Sequence, residues 1–171
     1  MCDLILTGVG SRETTDDALV LMAKIARVFS EKGFTLRSGG AKGADSAFED
    51  NWAGKKEIFL PWNGYENKWK SKEYIVPFIT QQHIDLASKA HPNWNACKEG
   101  ARKMHTRNTC QVLGEKLDKP ATLLVCWTVR GEYKGGTAVA MRIADLYGIP
   151  IYNLAVTQDI EKLREYYLSL Q

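Results

Sequence analysis

Leu4-Ile5-Leu6-Thr7-Gly8-Val9-Gly10-Ser11 sets an apolar run against a glycine turn, and Thr14-Thr15-Asp16-Asp17 follows with the hydroxyl and carboxyl groups that begin helices. The stretch reads as strand, turn, helix. Leu19, Met22, Ala23, Ala26 and Phe29 recur at helical spacing and carry the helix to about Lys32, where Gly33 supplies the stop. The unit then repeats. Phe34-Thr35-Leu36-Arg37 is a second strand, Ser38-Gly39-Gly40-Ala41-Lys42-Gly43 a second glycine turn, and Ala44 to Ala53 a second helix.

Glu57-Ile58-Phe59-Leu60 gives a third strand closed by Pro61, after which a polar aromatic stretch from Trp62 to Tyr74 breaks the rhythm. Two helices are predicted next, the second starting near Pro92-Asn93 and carrying Arg107 on its later turns. Ala121-Thr122-Leu123-Leu124-Val125-Cys126-Trp127 is the most continuously apolar segment, as a central parallel strand buried on both faces requires. It leads to Gly135-Gly136-Thr137, a helix through Tyr147, a core strand at Gly148-Ile149-Pro150-Ile151-Tyr152, and a terminal helix from about Gln158. Alternating strands and helices imply parallel strands joined by right-handed crossovers. The expected class is α/β, a Rossmann-like three-layer sandwich with a mainly parallel central sheet. A single domain is expected over residues 1–171, with an irregular aromatic and helical segment at about 62–101.

The chain has 171 residues, enough for one ordinary domain and too few for two catalytic ones. Hydrophobic residues at 44% with only 5 Pro exclude a disordered or fibrous chain. Lys and Arg exceed Asp and Glu by 23 to 20, and the charges are interleaved, so a dedicated nucleic-acid surface is disfavoured. Cys2, Cys97, Cys110 and Cys126 contain no C-x-x-C pair, and His83, His91 and His105 add no familiar zinc spacing. Free buried thiols in a reducing cytosol, with no metal and no cofactor, are therefore expected. Met1-Cys2-Asp3-Leu4 is not the start of a signal peptide, and no apolar run approaches the roughly 20 residues that span a bilayer. A cytoplasmic protein without membrane partners is the expectation.

In an open parallel sheet the turns leaving the carboxyl ends of the strands share one edge, where ligands bind. Glycines there let successive backbone N–H groups converge on an anion, and phosphate is the natural guest. Gly8-Val9-Gly10 alone is weak, because Glu13 stands where a dinucleotide fingerprint has its third glycine and no Walker Lys-Ser or Lys-Thr follows. Gly39-Gly40-Ala41-Lys42-Gly43-Ala44-Asp45 says more, joining three glycines, a cation and a carboxylate at a helix start. Asp45 reads equally well as a first-turn residue answering the helix dipole and as an organiser of a ribose or phosphate loop. Lys42 also has the plainer reading of a solvated loop cation.

Ser38-Gly39-Gly40-Ala41-Lys42-Gly43-Ala44-Asp45, with Trp52-Ala53 downstream, resembles the signature of the SLOG superfamily, in particular its small YspA and cpYpsA-related branch. Gly10-Ser11-Arg12, Arg107-Asn108 and Gly135-Gly136-Thr137 match that branch in the same order, so the resemblance spans most of the chain. The superfamily includes LOG enzymes, which remove the base from nucleoside 5′-monophosphates, and DprA proteins, which handle single-stranded DNA. Met104-His105-Thr106-Arg107 is similar to the Met-His-x-Arg segment of LOG enzymes, whose arginine takes part in catalysis. Their Pro-Gly-Gly-x-Gly-Thr-x-x-Glu supplies a catalytic glutamate. Aligning Gly136-Thr137 with its Gly-Thr puts Ala140 at that position.

Cleavage of an N-glycosidic bond gains from a carboxylate near the anomeric carbon, which Ala140 cannot supply. An enzyme would need a substitute among Asp45, Glu49 and Glu132. Glu132 precedes the last glycine turn and could close over a ligand, although a solvated loop glutamate is the plainer reading. Arg107 is the candidate catalytic or phosphate-clamping cation, Asn108 a sugar or backbone ligand, and Arg12 a second phosphate cation. Trp62 is the aromatic residue chosen to stack a base, Tyr65, Trp69 and Tyr74 being read as packing.

The expected ligand set is Gly8, Gly10, Ser11, Arg12, Ser38, Gly39, Gly40, Lys42, Gly43, Asp45, Trp62, Arg107, Asn108, Gly135, Gly136 and Thr137. The leading expectation is a protein that senses or sequesters a nucleotide-derived, phosphorylated small molecule. A LOG-like N-glycosidic hydrolase and DprA-like DNA handling are the alternatives. Relatives often form dimers, and an apolar face of the terminal or Pro92 helix could serve a homodimer.

Overall fold

The computed structural model describes residues 2–170. Its strands are β1 (Ile5–Gly8), β2 (Thr35–Ser38), β3 (Lys56–Phe59), β4 (Tyr74–Ile75), β5 (Leu123–Cys126) and β6 (Ile151–Asn153). The helices are α1 (Asp16–Glu31), α2 (Ala44–Glu49), α3 (Gln81–Ala90), α4 (Glu99–Leu113), α5 (Gly135–Leu146) and α6 (Thr157–Ser169). One six-stranded sheet runs in the order β4-β3-β2-β1-β5-β6, with every pairing parallel. The chain moves outward from β1 to β4 and then crosses back to place β5 on the other side of β1. That reversal creates a switch point between β1 and β5.

Helices cover both faces. Leu123 and Val125 of β5 join one core with Leu6, Met22, Phe29 and Phe48, under α1 and α2. Leu124 and Cys126 join the other, with Val112, Leu113, Val139 and Ile143 from α4 and α5. Successive side chains of a strand point to opposite faces, so the unbroken apolar run at β5 is what two cores demand. α1 begins as its sequence directs: the Thr15 side chain accepts from Ala18 N at 3.3 Å, and Asp16 and Asp17 face the positive end of the helix dipole. Among the described residues no helix is long and apolar enough to cross a membrane.

Three boundaries depart from expectation. The helix carrying Arg107 starts at Glu99, because residues around Pro92 hydrogen-bond locally: Asn93 N donates to His91 Nδ1 at 3.0 Å, and Trp94–Ala96 close a 3-10 turn. α2 stops at Glu49 and not Ala53, with the Asn51 side chain capturing the Ala47 carbonyl at 2.9 Å. β4 falls inside the aromatic stretch, where two edge residues offer no periodicity to read.

Gly8 lies against the Phe48 ring, and a Cβ there would sit 2.6 Å from ring carbons. Phe48 is fully buried and cannot retreat. Gly8→Ala is expected to destabilise the protein by about 1–3 kcal/mol through overpacking. The check is the urea midpoint, which should fall; an unchanged midpoint would contradict this packing.

Candidate functional site

The bends after β1, β2 and β5 leave neighbouring strand ends and are tied to one another. Ser38 Oγ donates to the Gly8 carbonyl at 2.7 Å, joining the second bend to the first. Val9 N donates to the Val125 carbonyl and Ser11 N to the Trp127 carbonyl, both at 3.1 Å, joining the first to the third. The result is a continuous rim of backbone at the carboxyl edge of the sheet. Its glycines divide into two kinds. A side chain at Gly10 would collide with Ala44, and one at Gly39 with Gln111 and Arg107, so these glycines permit internal packing. Gly43 and Gly135 have positive φ, +88° and +68°, and a Cβ at either would meet nothing within 4 Å. These two face open solvent and are required by backbone conformation, not by packing.

The start of α5 is the rim's main donor group. Lys134 at its N-cap makes no side-chain cap bond, so no side chain answers the first amides, those of Gly135, Gly136 and Thr137. Asn108 Nδ2 steadies this turn by donating to the Gly136 carbonyl at 3.2 Å. Arg12 is exposed and has no salt-bridge partner among the described residues. Lys42 is 87% exposed and stands 3.6 Å from the Glu66 carboxylate.

Arg107 does something the sequence did not announce. It is buried, and its Nη1 donates to the carbonyls of Gly39 (2.6 Å) and Phe59 (2.8 Å), fastening the ends of β2 and β3. Its Nε donates to Asn108 Oδ1 at 3.1 Å, and the guanidinium lies 5.7 Å from the centre of the Tyr65 ring. Burial lowers its pKa, opposed by the Asp45 charge. Arg107 lines a cleft of about 620 Å³. Leu60, Ile79 and Ile84 give that cleft an apolar lining, and Trp94 and Arg102 line it together with Arg107.

Asp45 is buried under the second bend, where its Oδ2 accepts from Ala41 N at 3.2 Å. Burial pushes its carboxyl up to about 6, against the opposing pull of Arg107 and of nearby donors at Ala41, Ser38 and Gly39. Asp45 is therefore a loop organiser whose charge is only part-compensated.

Other expected residues lie apart. Trp62 is 38% exposed and packs edge-on to Tyr65 at 5.3 Å, outside the cleft lining. The Glu132 carboxylate is held by Arg130 (3.0 Å) and Lys134 (2.7 Å), whose hydrogen bonds pull it down to about 2. At neutral pH it has no proton to donate. Glu49 accepts from the Tyr74 hydroxyl at 2.5 Å, and Ala140, on the inner face of α5, is packed in the core. His105 abuts Gly136, and one of its ring nitrogens lies within 4.8 Å of ligand atoms of His91 and Cys97.

Sequence reading missed Lys68, whose Nζ donates to the Gly40 carbonyl at 2.8 Å, and Gln111, which packs on Gly39. It also missed Trp94 and Arg102. Arg102 and Thr106 lie one helical turn apart and both line the cleft, a spacing that marks a shared helix face. Nothing local signals Trp94.

The fold and site define an α/β protein with a Rossmann-like, ligand-accessible sheet edge. No family model and no curated protein sequence matches the chain. Solved structures match its fold. DNA processing protein A from Helicobacter pylori, described for its single-stranded DNA binding, is 19% identical with a TM-score of 0.58, covering 96% of this chain and 73% of that one. The molybdenum cofactor carrier protein of Chlamydomonas reinhardtii is 17% identical with a TM-score of 0.53, covering 97% and 84%. At these identities the likeness establishes the fold.

Asp45 makes stability depend on pH. A folded-state value of about 6 against the ordinary 3.8 means that the native state holds the proton more tightly. Its contribution favours folding at low pH and is lost as pH rises through 6, by on the order of 3 kcal/mol in all. Comparing urea unfolding at pH 5 and pH 8, the drop in stability should be smaller in Asp45→Asn than in the parent. An equal drop in both would contradict the assignment.

Proposed function

We propose that the chain is an SLOG-type domain that binds a nucleotide or nucleotide-derived phosphorylated molecule and senses or sequesters it. The observation that carries the reading is the joined rim, on which three bends share one edge and the first amides of α5 carry no side-chain cap. Such amides at the positive end of a helix stabilise a phosphate, and Arg12 and Lys42 are exposed cations on the adjoining bends. The cleft beside Arg107 supports a place for the organic part of the ligand, with Trp94 and apolar side chains able to cover a planar base. Two solved structures that share the fold are described as a carrier of a cofactor and a single-stranded-DNA-binding protein, which supports a ligand-binding reading.

Binding without turnover is favoured because Ala140 is a core residue and Glu132 is neutralised by two cations. One observation speaks for the hydrolase reading: Asp45, at the rim, carries a pKa of about 6 that suits a general acid. Its carboxylate is committed to the Ala41 amide, which makes loop organisation the better account.

Calorimetry with nucleoside 5′-monophosphates and the matching nucleosides tests the reading, with chromatography of the same mixtures for released base. The nucleotides should bind and the nucleosides bind far more weakly, with no base released. Arg12→Ala should weaken nucleotide binding by about 1.5–3 kcal/mol, roughly 10- to 150-fold. Equal affinity for nucleotide and nucleoside would overturn the phosphate site, and base release abolished in Asp45→Asn would make the protein an enzyme.

A further inference from the structure

We propose that His91, Cys97 and His105 form a binding site for a zinc-class divalent cation, built by the connection between α3 and α4. His91 closes the end of α3, Cys97 follows the 3-10 turn Trp94–Ala96, and His105 lies on α4. One ligand atom from each lies within 4.8 Å of the others. Cys97 Sγ is 3.5 Å from His91 Nε2 and 3.8 Å from His91 Nδ1, and the two imidazole rings are 4.5 Å apart at their centres, tilted by 52°. Tetrahedral zinc, with bonds of about 2.3 Å to sulfur and about 2.0–2.1 Å to nitrogen, sets sulfur and nitrogen ligands roughly 3.5 Å apart. The Cys97–His91 spacing is thus that of two ligands on one ion, and the His105 nitrogen lies within 4.8 Å of both.

A second observation is independent of this spacing. His105 Nδ1 is buried and has no hydrogen-bond partner among the described residues. A buried ring nitrogen left unpaired costs stability, and a metal ion satisfies it. The donor set selects the ion, since one thiolate and two imidazoles suit zinc and its late first-row neighbours, whereas calcium and magnesium need oxygen ligands. On binding, the Cys97 thiol releases its proton to solvent, each imidazole contributes one nitrogen lone pair, and the ion undergoes no change in oxidation state. His91 gives up the hydrogen bond that its Nδ1 accepts from Asn93 N and gains the metal bond in exchange.

Three protein ligands leave a fourth position for water or a ligand atom, the arrangement of open zinc sites. Cys97 lines the cleft beside Arg107, and His105 abuts Gly136 of the rim, so the ion would sit beside the rim. The proposal stands whether or not the rim binds phosphate, because its ligands are separate from the rim amides.

The chelator-treated 171-residue chain is titrated with Co(II) and then with Zn(II) in competition with a chromophoric chelator. Cys2 is the exposed thiol outside the cluster, so a Cys2→Ser variant serves as background. The expected result is one equivalent of Co(II), with intense tetrahedral ligand-field bands and a thiolate charge-transfer band, both displaced by Zn(II) and both retained in Cys2→Ser. Cys97→Ser should abolish the charge-transfer band, and His105→Ala should weaken Zn(II) binding by at least about 100-fold, beyond the range for losing an outer-shell partner. The weak spectrum of octahedral Co(II) in the parent protein, which needs no variant to fold, would overturn the site. So would Zn(II) affinity that is unchanged in Cys97→Ser.

Discussion

Parallel pairing of β1 with β2 on one side and β5 on the other leaves the chain no route between strands except over a face of the sheet. Every crossover therefore returns to the same edge, and every strand releases its following bend at the opposite one. The rim follows from this constraint. Ser38 and Ser11 convert adjacency into connection by bonding across to the Gly8 and Trp127 carbonyls. The same constraint buries β5 on both faces and puts α4 behind β2 and β3, from which Arg107 can reach their ends.

Arg107 shows how charge and rigidity are combined at that edge. Three of its N–H groups are committed to Gly39, Phe59 and Asn108, so the guanidinium acts first as a strut. Asp45 shares the buried region and is attracted to it, but the carboxyl remains far above its ordinary pKa because desolvation outweighs the attraction. Arg107 keeps its charge inside the protein, whereas Arg12 and Lys42 are exposed on the adjoining bends. A guest would meet a surface already ordered before it arrives, which lowers the entropic cost of binding.

Much of this architecture was legible in local pattern. The alternation of apolar runs, glycine bends and helix-start residues identifies β1, α1, β2 and β5, because period and punctuation are properties of neighbours in the chain. β4 was not legible, since Tyr74 and Ile75 join the sheet only because β3 offers an edge. The glycines were legible as bends but not by role: Gly10 and Gly39 admit Ala44 and Gln111, whereas Gly43 and Gly135 face open space. Arg107 was picked out by its sequence context as a candidate cation, while its service to two carbonyls depends on distant strand ends. The cleft and the His91, Cys97 and His105 group draw on segments that meet only after folding, so spacing rules for metal motifs pass over them.

The central claim is that one rim, made by three bends, receives a phosphate. Amide chemical shifts of ¹⁵N-labelled protein titrated with a nucleoside 5′-monophosphate test it most directly. Residues 10–12, 40–43 and 135–137 should shift together and saturate along a single isotherm. Shifts that leave these amides untouched and gather on another face would contradict the account.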